Sequence, residues 1–398
     1  MNRTIKLIGL IAAFALVVAA CGDSTDDTTA APGTTAAPAA LPGEGVTINM
    51  GRADWSTGYF QAYVYQQVLE ELGYDVTDPS STELGPSLAY LGMAQGDFDF
   101  WVNSWYPGHI SWHEPELPDG TTVGDHLVIP GTVFDGGGIQ GWLITKSFAD
   151  EYGITTMEEF NNNPDAIAAY DAVDPVSGNG MADIYGCQES YTCDNIIQNQ
   201  IAFGGWDNIQ QVIAGYDPMF AEAEAKVQDD EPIIIYTWTP STYVSRLIPG
   251  VNVYWLGAET VLDDSNPTGQ DGGADHQQVV GPTGLDSYVG IPADQCPAAG
   301  KIAIDDAARS DDDGGLCPMG WVPATITPTA NKDVYEANPA FAALLDNLAL
   351  PVIDVSLASV DADAQGGTEE VYKTLAAEWI ASNRDRVDAA LALALAAG

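Results

Sequence analysis

The chain has 398 residues, with 12 Lys plus Arg against 57 Asp plus Glu, 46% hydrophobic and 17% charged, enough apolar material for two domains with their own cores. That balance excludes an acidic disordered tail. A formal charge of −45 also excludes favourable docking on nucleic-acid phosphates or on an anionic membrane surface, because both need clustered Lys and Arg.

At the N-terminus, Arg3 and Lys6 precede an apolar run, Ile8 to Ala20, too short and too small-ended for a spanning helix. This reads as an export signal. Val18, Ala19, Ala20 and Cys21 resemble a bacterial lipobox, in which small residues precede a Cys that is lipidated and becomes the mature N-terminus. The alternative is an ordinary secretory signal that happens to contain a Cys. On the lipobox reading residues 1–20 are a lipoprotein signal peptide, and their removal takes away two basic and no acidic residues, leaving 10 against 57 and a formal charge of −47. Residues 21–45 follow as a flexible tether, since Ser24 to Pro42 is rich in Thr, Ala, Pro and Gly and cannot bury enough surface to offset its ordering entropy. No later segment has the length and apolarity to span a bilayer, so membrane contact is expected through the lipid only.

Beyond the tether, strands and helices are expected to alternate. Val46 to Met50 reads as a strand, and Phe60, Tyr65, Val64, Val68, Leu69 and Leu72 as the apolar face of a helix that Gly73 ends. Tyr74 to Val76 is extended, Leu88 to Met93 is helical and stopped by Gly96, and Phe98, Phe100 and Val102 mark a strand. The middle repeats the rhythm: strand at Gly141–Thr145, helix at Ser147–Tyr152, helix at about Asp194–Phe203, and buried strand at Pro232–Thr237. Thr239 and Pro240 suit the N-cap and first position of a helix over Ser241–Leu247. A Gly-, Asp- and Pro-rich surface excursion spans 257–320, and helices return at Pro339–Leu348, capped by Asn338, and at Glu369–Ala397. Two α/β lobes are the expected outcome.

Setting Cys21 aside leaves four Cys, which allow three pairings. Cys187 and Cys193 are six apart around a tight loop, and Cys296 and Cys317 flank a Gly- and Asp-rich stretch, so the local pairing is expected in a compartment where disulfides persist. A zinc site is the rival, but there is no CxxC, and His109, His113, His126 and His276 lack ligand spacing near any Cys. No metal or cofactor is expected.

Three Trp fall at strand ends, where open α/β sheets bind ligands: Trp55 after the first strand, Trp105 after the Phe98–Val102 strand, and Trp238 after Ile233–Thr237. Trp101, Trp112, Trp142, Trp206, Trp255, Trp321 and Trp379 read as core or surface packing.

The chain resembles the glycine betaine and proline betaine substrate-binding proteins of ABC importers over nearly all of residues 46–398. The resemblance is carried by LEELGYDV at Leu69–Val76, GDFDFWVNSWYPGH at Gly96–His109, QGWLI at Gln140–Ile144, GCQESYTCDN at Gly186–Asn195, YTWTPSTYVSRLIPG at Tyr236–Gly250 and ANPAFAALLDNLALP at Ala337–Pro351. It implies a type II-like periplasmic binding protein, two-lobed, with a hinge and a ligand cleft between the lobes. Residues 46–139 with 256–398 would form one lobe and 140–255 the other. In that family three aromatic side chains box a trimethylammonium group, and the matching positions are Trp105, Tyr191 and Trp238. The family usually has Trp where this chain has Tyr191. The carboxylate contacts carry over to His109 and to the backbone N–H groups of Thr192 and Cys193, on a loop that the Cys187–Cys193 disulfide would fix. Trp55 joins the candidates by its place at a strand end.

Enzymatic readings are poorly supported. There is no HExxH, no GxSxG and no phosphate-binding loop, and Gly136–Gly141 lacks the GxGxxG spacing. Asp174–Asp183 is faintly like a calcium loop but lacks alternating ligands and a final Glu, and Asp97 and Asp99, two apart on a strand, carry no catalytic mark. The expected protein is thus an extracytoplasmic, lipid-anchored monomer at the bacterial cell surface or in the periplasm. It would bind a zwitterionic or cationic small molecule, glycine betaine or a related compatible solute, and deliver it to ABC permease subunits. Choline, carnitine or another methylated amine is the alternative ligand, and a secreted hydrolase the alternative class.

Overall fold

The computed structural model describes residues 40–242, 245–259, 288–299, 301 and 316–398. The leader at 1–20, Cys21, the tether up to residue 39 and most of the 257–320 excursion lie outside the described residues.

Short parallel pairs open the folded part: β1 (Thr47–Ile48), β2 (Arg52–Ala53), α1 (Tyr59–Glu71), β3 (Asp75–Val76) and β4 (Glu83–Leu84), with β1 on β3 and β2 on β4. α1 is buried nearly all round, at Phe60, Tyr63, Val64, Tyr65, Val68 and Leu69, because it is sandwiched between strands and later helices. The chain leaves it through Gly73 at φ +91°, the left-handed region that only glycine adopts freely. α2 (Pro86–Gln95) begins with Pro at its first turn and ends at the left-handed Gly96.

β5 (Phe100–Tyr106), β6 (Leu127–Val128) and β7 (Phe134–Gly138) complete this part of the chain. The strand expected around Phe98–Val102 therefore starts later and runs on through Trp105, which lies inside it rather than after it. Nearly every residue of β5 is buried, which is why its sequence shows no polar alternation. Asp97 and Asp99 precede the strand instead of sharing a face of it, and the Asp99 carboxylate accepts the Asn49 N–H at 2.6 Å.

A second sheet is built from β8 (Gln140–Thr145), α3 (Lys146–Tyr152), α4 (Met157–Asn161), α5 (Pro164–Asp171), β9 (Ala182–Tyr185), α6 (Thr192–Gly204), β10 (Ile209–Val212), α7 (Tyr216–Gln228), β11 (Ile234–Trp238) and β12 (Val253–Leu256). Its order is β10-β9-β11-β8-β12; β9, β10 and β11 run parallel, and β8 pairs antiparallel with β11 and β12. Thr239 does not act as the expected helix cap: its Oγ1 donates to the Gly137 carbonyl at 3.2 Å, which ties the exit of β11 to the end of β7. The helix expected over Ser241–Leu247 includes Tyr243 and Val244, which lie outside the described residues.

The chain then adds β13 (Tyr288–Val289), β14 (Cys317–Pro318) and β15 (Ala324–Asn331). β15 is antiparallel to β5, β6 and β7, so the first sheet joins segments about two hundred residues apart. The register of β15 shifts between Thr327 and Thr329, at Pro328, the residue that hides this strand from a pattern reading. The C-terminal helices are α8 (Lys332–Ala337), α9 (Pro339–Asn347), α10 (Val352–Ala364), α11 (Glu369–Ser382) and α12 (Arg384–Ala397). Pro339 opens α9 as expected, but Asn338 does not cap it; its Nδ2 donates to the Val334 carbonyl of the preceding helix. The single helix expected over Glu369–Ala397 is broken at Asn383 into α11 and α12.

The result is a two-lobed α/β architecture, each lobe centred on one sheet. Cys187 is bonded to Cys193 and Cys296 to Cys317. Among the described residues no single helix is long and apolar enough to cross a membrane.

Candidate ligand-binding site

The seven residues Trp55, Trp105, His109, Tyr191, Thr192, Cys193 and Trp238 line one cavity, together with Pro86, Gly108, Gln140 and Ile196. The space enclosed, its mouth included, is about 430 Å³. Both lobes contribute: Trp105 comes from β5 in the first sheet, Trp238 ends β11 in the second, and Tyr191 occupies the N-cap position of α6.

Each aromatic is held by its surroundings. The Trp105 indole donates to the Asn103 side chain and lies over Gly138, where a Cβ would sit 3.0 Å from the ring and 2.8 Å from the Ala324 Cβ. Glycine at 138 therefore makes room for the indole. Tyr191 meets Trp55 edge-on at 5.2 Å and 69°, and Trp238 at 6.3 Å and 73°. Its hydroxyl donates to the Asp54 carbonyl at 3.3 Å. Behind Trp238 lies Tyr216, 4.4 Å away between ring centroids. All four cavity aromatics are buried, yet each presents part of its ring to the cavity.

His109 is the imidazole of the wall. Burial, aided by neighbouring His113, pushes it down to about 3, so its imidazole is neutral at ordinary pH. The Trp105 backbone N–H donates to its Nδ1 at 3.2 Å, and the Tyr90 hydroxyl lies 3.0 Å from the same nitrogen. A nitrogen that accepts from an N–H carries no proton. The proton therefore sits on Nε2, which can donate to an anion in the cavity.

Beside it, α6 begins at Thr192 and Cys193, whose N–H groups belong to the first turn and have no intrahelical acceptor. The positive end of a 13-residue helix favours an anion at that point. The Cys187–Cys193 bond ties this turn to the loop leaving β9. The Thr192 hydroxyl accepts from Trp112 Nε1 at 2.9 Å, so Trp112, read from sequence as packing, anchors the first turn of α6.

Side-chain contacts that join residues 140–255 to the rest of the chain include Trp112 with Thr192, Tyr191 with Asp54 and with Trp55, and an ion pair of Arg246 with Asp363. That ion pair is over a third exposed on both sides, and contributes at most about 1 kcal/mol.

Gln140, Pro86, Ile196 and Trp112 were not singled out from sequence. Only Gln140 left a trace, as the polar start of the apolar run Gly141–Ile144. No cluster of metal-ligating side chains occurs among the described residues. The loop with a faint calcium resemblance is a turn: the Asp171 carboxylate accepts the N–H groups of Gly178, Asn179 and Gly180. The Asp183 carboxylate is held by Asn179 and Gln210.

Residues 46–382 match the family described as the substrate binding domain of the ABC-type glycine betaine transport system. The chain belongs to that family. It is 27% identical over 358 residues to the glycine betaine-binding periplasmic protein OusX of Dickeya dadantii, covering 90% of this chain and 92% of that one. Identity and coverage are the same for the glycine betaine/proline betaine-binding periplasmic protein of Escherichia coli. Among solved structures, lactococcal OpuAC, closed and complexed with glycine betaine, superposes with a TM-score of 0.55 at 14% identity, over 87% of this chain and 99% of that one. An ABC-transporter choline binding protein in complex with choline gives 0.56 at 16% identity, over 88% and 96%. At such identities these structures speak for the fold alone, a two-lobed substrate-binding protein. The family consists of substrate-binding transport proteins rather than enzymes, and its periplasmic relatives agree with an extracytoplasmic address for this chain.

Proposed function

We propose that this chain captures glycine betaine or a closely related quaternary ammonium solute between its lobes and hands it to the membrane subunits of an ABC importer, with no chemical step. The observation that carries this reading is the convergence of aromatic faces from both lobes on one cavity that also holds a neutral His109 and the N-terminus of α6.

A quaternary ammonium has no N–H to donate, so electron-rich rings are its natural receptor, each worth up to about 2 kcal/mol when desolvated. Trp105, Tyr191 and Trp238 together offer roughly 6 kcal/mol on that scale. His109 Nε2–H and the Thr192 and Cys193 N–H groups can each add about 1.5–3 kcal/mol to a carboxylate. The sum exceeds the −8 kcal/mol or so of micromolar binding, leaving room for the costs of immobilising ligand and lobes. Tyr191 keeps a π face where the family usually has Trp, and its hydroxyl is spent on Asp54 rather than on the ligand.

On this reading residues 46–139 with 256–398 form one lobe and 140–255 the other, and the lobes close about a hinge. The protein acts as a monomer, held at the membrane by lipid on Cys21. Mass spectrometry of the mature protein tests the anchor: an acylated Cys21 N-terminus supports it, and an unmodified one removes it. Calorimetry with glycine betaine, proline betaine, carnitine and choline tests the ligand. Binding of choline with the betaines ignored would remove the roles given to His109 and the two amides, and catalytic turnover of any of these compounds would overturn the transport reading.

A further inference from the structure

Gln140 lines the cavity and is only 9% exposed, yet its side-chain amide has no hydrogen-bond partner among the described residues. Its orientation follows from strand register. Gln140 and Trp238 are opposite residues of the antiparallel pair β8 and β11, and opposite residues on neighbouring strands face the same side. The pair that sends the Trp238 indole into the cavity therefore sends the amide there too.

A primary amide that faces a cavity with no protein partner has its hydrogen bonds only with what the cavity holds, whereas an apolar side chain of similar shape would line the wall without needing any. The missing partner is supplied by whatever fills the cavity. An onium head offers no hydrogen-bonding group, so the partner is the ligand's polar tail. The amide has two N–H donors, and a bond from an N–H to a carboxylate is about twice as strong as one between neutral groups.

We propose that Gln140 is a specificity-determining residue, donating a side-chain N–H to the ligand carboxylate and so favouring carboxylate-bearing onium compounds over those that end in a hydroxyl. This rests on the reading of the cavity as an onium site and names the group that distinguishes its ligands.

The test compares glycine betaine with choline by calorimetry on the intact soluble chain, with thermal melts of each variant. Gln140→Leu should weaken glycine betaine roughly tenfold to hundredfold while choline changes by less than about threefold. Gln140→Glu, close in shape, should weaken glycine betaine further by setting carboxylate against carboxylate, and leave choline unchanged or tighter. Equal losses for both ligands in a folded variant would make Gln140 a shaping residue and overturn the assignment, as would unchanged betaine affinity. Wild-type protein that binds neither ligand would overturn the reading of the cavity and this assignment with it.

Discussion

Replacing Trp238 by Ala removes one wall of the cavity and is the most direct probe of the aromatic receptor. The indole stands between Tyr191, 6.3 Å away, and Tyr216, 4.4 Å behind it, so its loss exposes a second ring rather than open solvent. If Tyr216 stays in place, the full value of a desolvated cation–π face is lost, about 2 kcal/mol or roughly thirtyfold in affinity. If Tyr216 moves forward it restores part of that face, and the loss falls to about tenfold. Trp238→Phe keeps a ring and should lose less than about fivefold. Deleting a buried Trp also costs stability, on the order of 3–5 kcal/mol, so glycine betaine titrations belong well below the melting transition, with circular dichroism confirming the fold. A folded Ala variant that binds glycine betaine within threefold of wild type would refute the idea that rings supply the binding energy.

Burial holds His109 near 3 and His113 near 4, both below the 6.5 of a free imidazole. In that window the unfolded chain binds more protons than the folded one, so stability rises with pH and is lost as pH falls from about 6.5 toward 3. His109→Gln should flatten that acid slope in pH-dependent denaturation curves; an unchanged slope would place His109 outside the linkage. Because His109 stays neutral, glycine betaine affinity should be flat between roughly pH 5 and 8, and a step near 6.5 would count against a neutral donor. Replacing Cys187 and Cys193 together by Ser frees the first turn of α6, and should lower both melting temperature, through about 2 kcal/mol for so short a loop, and betaine affinity. Unchanged affinity would detach the disulfide from ligand positioning.

Much of this molecule was legible locally. The helix over Tyr59–Glu71, the stops at Gly73 and Gly96, and the strands at β8 and β11 follow from periodicity and from glycine's freedom at left-handed φ. The failures share a cause. β15 hides behind Pro328, and Asn338 and Thr239, good caps by residue type, find better partners in Val334 and Gly137. A side chain's choice between a local and a distant partner depends on what packing brings near it.

Residue types and spacings, with the family motifs they form, determined which family this chain belongs to: they supplied the Trp and Tyr faces, the histidine, and two short-range cysteine pairs. Only the tertiary structure decided which groups meet. Trp112 reaches Thr192, Gln140 shares a face with Trp238, and Trp105 settles over Gly138. Those encounters join positions tens of residues apart, and strand register and tertiary packing set them where no local propensity acts.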